Sequence, residues 1–288
     1  MSEKPKFGFT DEELINLAQV FHPDLLKDKV VLVSGGGSGI GKAIAFLYAR
    51  LGATVVICGR KLEKLEQSKK LMEGIGATVA IEQCDIREPD QINTMMDAVW
   101  DKFGKLDVLI NNAGGQFPQM AIDYSYKGWR AVINTNLNGT WYMMQSAAKH
   151  WQKYGQPGHI VNIVAAIERG MPGVAHTCSA RAGVVYLSRT VAVEWAPLKV
   201  QVNCVAPGAI ESSGMVVYPP EEQKKFYRSN PMKMMGDVHD IAQACVYLTA
   251  PSGKFITGEV INVDGGTRMW GDAWPAGKPD YFKLEGES

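Results

Sequence analysis

VVLVSGGGSGIGKAIAF, residues 30–46, runs from four apolar residues through a glycine-rich turn into a helical pattern. An apolar run this short, closed by Ser and Gly, reads as a buried strand. Gly35, Gly39 and Gly41, with Ser38 and Ile40 between and beside them, let the backbone turn tightly and approach a pyrophosphate. The helix that follows offers free N–H groups and the positive end of its dipole to that anion. A glycine-rich turn by itself is a weak signal. Set between a strand and a helix in the first βα unit, it predicts a dinucleotide site.

Outward from this turn the same rhythm continues. TVVIC (54–58) precedes KLEKLEQSKKLME, TVAIEQ (78–83) precedes DQINTMMDAVWDKF, and DVLINN (107–112) precedes a long polar and apolar stretch. HIVNIV (159–164), VQVNCV (200–205) and EVINVD (259–264) supply three more strands, with helices from about His176 to Trp195 and from about Asp237 to Thr249. Strands alternating with helices predict an α/β fold: a doubly wound, seven-stranded parallel sheet, Rossmann-like, in a single domain over residues 26–268. Thr10 followed by Glu13 is a capping-box pattern that starts a short helix on an N-terminal arm, 1–25. Residues 269–288 form a C-terminal tail that begins with the aromatic, Pro/Gly-rich MWGDAWPAGKPDYF. Packing of both arms on the surface or on a neighbouring subunit stands beside a role in closing the site.

The 288 residues carry thirty basic and thirty acidic side chains, so no global field draws nucleic acid or an anionic membrane. No stretch approaches the roughly twenty apolar residues of a membrane span. The five cysteines are scattered among apolar neighbours without CxxC or His at metal-ligand spacing, which reads as reduced thiols, no metal site and a cytoplasmic protein. At the end of the second strand, the place of an acidic residue for the adenosine ribose holds Gly59, followed by Arg60 and Lys61. Cations and room suit a 2′-phosphate, so NADPH is expected rather than NADH.

Several further motifs occur in a fixed order: SGGGSGIG, NNAG (111–114), NTNLNG around Asn136, VAPGAI (205–210) and ITGEVINVDGG (256–266). Across about residues 26–268 they resemble the short-chain dehydrogenase/reductase family. The resemblance implies that Asp85 and Ile86 border the adenine, Asn112 and Gly114 the adenosine-side ribose and backbone, and Pro207, Gly208 and Ile210 the nicotinamide. The chain departs from the family at the catalytic positions. Val164 or Ala165 replaces the Ser, Thr177 the Tyr, and Arg181 the Lys of the YxxxK pattern. Thr has no accessible pKa near neutrality and Arg never deprotonates there, so a lysine-activated phenol is missing, whereas Arg181 still donates to ribose hydroxyls.

GGQF (114–117), KGW (127–129), AHTCSAR (175–181), EWA (194–196) and NCVAPG (203–208) resemble the peroxisomal-type trans-2-enoyl-CoA reductases of that family. The 2,4-dienoyl-CoA reductases, which lack the Tyr but keep the Lys, fit less closely. Hydride addition to an enoyl thioester moves charge onto the thioester oxygen and leaves the proton on carbon, so the site needs donors aimed at an enolate rather than a strong acid. Candidate groups are Asn136, His176, Thr177 and Arg181. His176 is either a neutral donor at a helix start or a packed residue; Thr177 is a donor or a cap; Tyr124, Tyr126, Glu168 and Arg169 reach the site or face solvent. Residues 211–235, rich in Met, Tyr and Phe, read as a lid or as helices packed on the core, and their Lys224, Lys225 and Arg228 as a CoA-phosphate site or a solvated face. The leading expectation is an NADPH-dependent reductase of a trans-2-enoyl-CoA. Its rivals are a hydroxyacyl-CoA or isoprenoid-alcohol dehydrogenase, in which His176 or a lid Tyr moves the proton, and a silent NADPH-binding subunit. The family resemblance also implies a homotetramer built on the helices at 127–153 and 176–196.

Overall fold

The computed structural model describes residues 8–269. The tail's aromatic segment beyond Met269 lies outside them. In chain order the elements are α1 (Asp11–Asn16), β1 (Val30–Ser34), α2 (Gly39–Arg50), β2 (Thr54–Gly59), α3 (Leu62–Gly74), β3 (Val79–Gln83), α4 (Pro89–Phe103) and β4 (Val108–Asn111). They continue with α5 (Tyr126–Ile133), a π-helical turn (Asn134–Asn138), α6 (Gly139–Tyr154), β5 (Gly158–Ile163), α7 (Ala175–Glu194) and β6 (Val200–Pro207). The last are β7 (Ile210–Glu211), α8 (Pro220–Gln223), β8 (Gly236–Asp237), α9 (Val238–Thr249) and β9 (Val260–Val263).

Seven strands pair in parallel in the order β3-β2-β1-β4-β5-β6-β9, which is the doubly wound sheet. Such strands are covered on both faces, so they read as unbroken apolar runs rather than as alternating ones. Along β1, Val31 and Val33 pack with Ile44 of α2 and Ile241 of α9, while Val30 and Leu32 pack with Trp100 of α4 and Trp151 of α6. Each fully buried side chain of this size contributes about 1.5–3 kcal/mol. Helix ends follow local chemistry. Pro89 occupies the first turn of α4 and Gly104 closes it in the left-handed region, while Asp237 caps α9 in a box with Asp240.

The Thr10–Glu13 capping box is present, with Glu13 N donating to Thr10 Oγ1 at 3.1 Å. The arm lies on its own domain: Leu14 is buried, Lys42 pairs with Asp11, and Arg50 Nη2 donates to the Leu17 carbonyl at 2.6 Å. The helix expected over 127–153 is interrupted by the π-helical turn. Strand order reverses between β1 and β4, so the connections leaving their carboxyl ends part company and open a crevice there.

Candidate active site

The crevice is a cavity of about 1190 Å³ at the carboxyl edge of the sheet, reaching from the glycine-rich turn to the segment after β7. Gly35, Ser38, Gly39 and Ile40 line it, whereas Gly41 does not and instead packs against Asn112 and Gly35. A Cβ on Gly41 would meet Asn112 Nδ2 at 2.3 Å and the Gly35 carbonyl at 2.4 Å, so only glycine brings helix and strand this close. Asn112 is fixed in turn, its Nδ2 donating to the Ser34 carbonyl at 3.0 Å. The first turn of α2, whose Ser38 N-cap makes no side-chain capping bond, faces the cavity with its backbone N–H groups.

Where β2 ends, Gly59, Arg60, Lys61 and Lys64 line the cavity, with Asp85 and Ile86 beside them. Lys64 stands in the first turn of α3, whose N-cap is Lys61, and its Cβ approaches Gly37 so that the stem lies over the glycine-rich turn. Asp85 faces Arg87, which holds its carboxyl below the ordinary range, first by a side-chain hydrogen bond. The Asp85 carboxylate is thus engaged chiefly by Arg87, with a weaker attraction to Arg60, and the cations at Arg60, Lys61 and Lys64 fit a dinucleotide with a charged adenosine ribose.

At the other end, Gly114, Asn136, Thr177, Arg181, Pro207, Gly208 and Ile210 meet around the same space. Asn136 is fully buried in the π turn. Its Oδ1 accepts from Gly115 N at 2.9 Å, and its Nδ2 donates to the Gly115 carbonyl at 3.0 Å and to Thr177 Oγ1 at 2.9 Å. The Thr177 oxygen is thus capped by an amide, and its O–H remains to donate into the cavity. Arg181 passes under Gly114, where a Cβ would meet Nη2 at 2.2 Å. Burial brings its pKa down to about 10, so the group stays cationic at neutral pH, and its buried Nη1 has no partner among the described residues. A cation held this way awaits an acceptor inside the cavity, which is what ribose hydroxyls supply. Val164 and Ala165, at the Ser position, offer no hydroxyl.

His176 is directed elsewhere. Its ring is fully buried, stacks on Tyr124 at 4.6 Å and meets Phe117 edge-on at 4.5 Å, while Nδ1 accepts from Thr177 N at 2.7 Å. Burial pulls its pKa below the ordinary value. The imidazole braces the start of α7 and does not line the cavity. Of the other candidates, Tyr126, Glu168 and Arg169 are exposed and Tyr124 donates to the Gly173 carbonyl at 3.2 Å. Lys224 pairs with Glu221 at 3.1 Å. Lys64, Gln116 and Tyr218 also line the cavity; sequence reasoning marks Gln116 only within GGQF and Tyr218 only as one of the two lid tyrosines, and does not mark Lys64. Lys64 follows Lys61 by three residues in KLEK, the spacing from a helix N-cap to its first turn, and this is the signal that could have found it.

Fold and site together define a dinucleotide-binding α/β protein whose one cavity runs from the glycine-rich turn to Thr177 and Arg181. Residues 35–268 match the family described as "Enoyl-(Acyl carrier protein) reductase". The chain is 38% identical to a probable 2,4-dienoyl-CoA reductase [(2E)-enoyl-CoA-producing] of Bacillus subtilis (strain 168), over 87% of this chain and 100% of that protein. It is 35% identical to the peroxisomal 2,4-dienoyl-CoA reductase [(3E)-enoyl-CoA-producing] of Rattus norvegicus, over 93% and 94%. A solved citronellol catabolism dehydrogenase of Pseudomonas aeruginosa PAO1 superposes with a TM-score of 0.79 at 36% identity, over 87% of this chain and 99% of that one. The chain belongs to the short-chain dehydrogenase/reductase family and is a nicotinamide-dependent oxidoreductase.

Proposed function

We propose that the protein is an NADPH-dependent reductase of an activated C=C bond in an acyl-CoA. The observation that carries this reading is the pair Thr177 and Arg181, standing where the family has its Tyr and Lys. A ketone needs a proton on oxygen as hydride arrives. An unsaturated thioester needs only hydrogen-bond donors at the oxygen where charge collects, because the proton ends on carbon. Thr177, capped by Asn136, is such a donor. Arg181, too basic to serve as a general acid, holds and orients the cofactor ribose. Arg60, Lys61 and Lys64 would take the 2′-phosphate, and the glycine-rich turn the pyrophosphate. The reduced nicotinamide supplies hydride when bound; Pro207, Gly208 and Ile210 form the wall against which it would rest.

The relatives act, by name, on 2,4-dienoyl thioesters, which favours a dienoyl-CoA beside the trans-2-enoyl-CoA as substrate. In both, hydride adds at the far end of the conjugated system. Residues 211–235 are assigned as the lid over the acyl chain of the 26–268 body, with Met215, Val217 and Phe226 giving the cavity its apolar side. Exposed Tyr186 and Val193 on α7 support a homotetramer, and the Bacillus relative supports a cytoplasmic setting. NADPH consumption against 2,4-dienoyl-CoA, trans-2-enoyl-CoA and 3-ketoacyl-CoA of equal length tests the reading. Turnover of the unsaturated thioesters is expected. Turnover of the 3-ketoacyl thioester alone would overturn it, and NADPH binding without turnover of any of them would identify a silent subunit.

A further inference from the structure

One residue of the segment after β7 is held at three points. The buried Gln223 side chain donates through Nε2 to the carbonyls of Met215 at 3.0 Å and of Tyr218 at 2.7 Å, which fixes the backbone around Tyr218. The Tyr218 ring meets Phe226 edge-on at 4.9 Å. Its phenol oxygen accepts a hydrogen bond from Gln116 Nε2, on the loop that follows β4. The side chain lines the cavity, and among the described residues nothing accepts its proton.

Gln116 follows Gly115, the residue whose N–H and carbonyl both bond to Asn136, and Asn136 caps Thr177. The cavity thus presents two hydroxyls prepared in the same way. Each oxygen takes an amide N–H, Thr177 from Asn136 and Tyr218 from Gln116, and each O–H is left to donate inward. An amide donating to a phenol oxygen polarises the O–H and makes it a better donor. We propose that Tyr218 is the second hydroxyl donor of the site, hydrogen-bonding together with Thr177 to the thioester oxygen on which negative charge collects. This role rests on the reading of the protein as a reductase of unsaturated acyl thioesters.

The chemistry balances without ionising the phenol. A hydride, with its electron pair, adds to the far carbon of the conjugated system. An electron pair moves onto the thioester oxygen, and a proton from solvent ends on carbon. Tyr218 keeps its proton throughout and stabilises the enolate by a hydrogen bond. Burial raises its pKa, with Gln116 pulling the other way, so the phenol is a neutral donor at physiological pH. A phenol therefore returns to a site whose usual Tyr position holds Thr177, carried in by a different segment of the fold.

The test is Tyr218→Phe, which keeps the ring against Phe226. Loss of one donor to a developing oxyanion predicts a fall in kcat of about 100-fold, with KM changing less than about threefold. Tyr227→Phe, one residue from Phe226 and outside the cavity wall, should retain the parent rate. A second readout needs no turnover: the infrared carbonyl band of a 1-¹³C-labelled unsaturated acyl-CoA bound to the protein. The band should lie at lower frequency in the parent protein and move back up in Tyr218→Phe, a shift that a packing role would not produce. Unchanged kcat and an unchanged carbonyl band in Tyr218→Phe, with the parent active, would overturn the role of Tyr218 alone. A parent protein that consumes no NADPH with either unsaturated thioester would overturn the functional reading, and the Tyr218 role with it.

Discussion

On the proposed reading, Arg60, Lys61 and Lys64 carry the charge that favours a 2′-phosphorylated dinucleotide in the crevice. Each charge-assisted bond to a phosphate is worth about 1.5–3 kcal/mol. Arg60→Asp is therefore expected to weaken NADPH by about tenfold to a hundredfold, since about 1.4 kcal/mol is one factor of ten. The same change should tighten NADH, because a carboxylate at this place accepts from a free ribose 2′-hydroxyl. Fluorescence titration with the two nucleotides measures both. The cationic pair at residues 60 and 61 is legible in the chain because it sits beside a missing acid, a local pattern. The fate of His176 is not legible. Its place at a helix start allows donation or packing equally, and only Phe117 and Tyr124, brought in from the loop after β4, decide for packing.

The π-helical turn between α5 and α6 ties together the end of the cavity around Thr177. By adding a residue to one turn it delivers Asn136 inward, where it joins the β4 loop at Gly115 to α7 at Thr177. Asn136→Ala leaves Gly115 N–H, the Gly115 carbonyl and the Thr177 hydroxyl without these bonds. Unmade bonds of this kind cost about 1–3 kcal/mol, so a Tm lower by several degrees is expected in calorimetry, together with loss of turnover. Apolar spacing shows a helix across 127–153 but not the interruption, because one extra residue in a turn barely alters a pattern of period 3.6. Capping is the reverse case. Thr10 with Glu13, and Asp237 before α9, act within four residues of themselves, and so both helix starts could be read directly.

Across the whole molecule the packing of sheet and helices buries four thiols: Cys58 and Cys245 are driven well above the ordinary thiol range, and Cys84 and Cys204 to about 11, in each case chiefly by burial. A group whose pKa is raised on folding contributes stability that is complete below its unfolded pKa, about 8.5 for a thiol, and that is lost as pH rises through the folded value. The urea midpoint is therefore expected to hold up to about pH 8 and to fall steadily towards pH 11; a midpoint independent of pH across that window would contradict this. Strand identity, the parallel sheet, the glycine-rich cradle and the bias against an acidic ribose contact were all set by the sequence alone. They depend on periodicity and on residues adjacent in the chain. The partners that complete the site were decided by the tertiary structure: Asn136 on Thr177, 41 residues apart, and Gln116 on Tyr218, 102 apart. Such pairs follow from strand order and from the paths of loops leaving one sheet edge, and neither leaves a repeating trace in the residues that obey it.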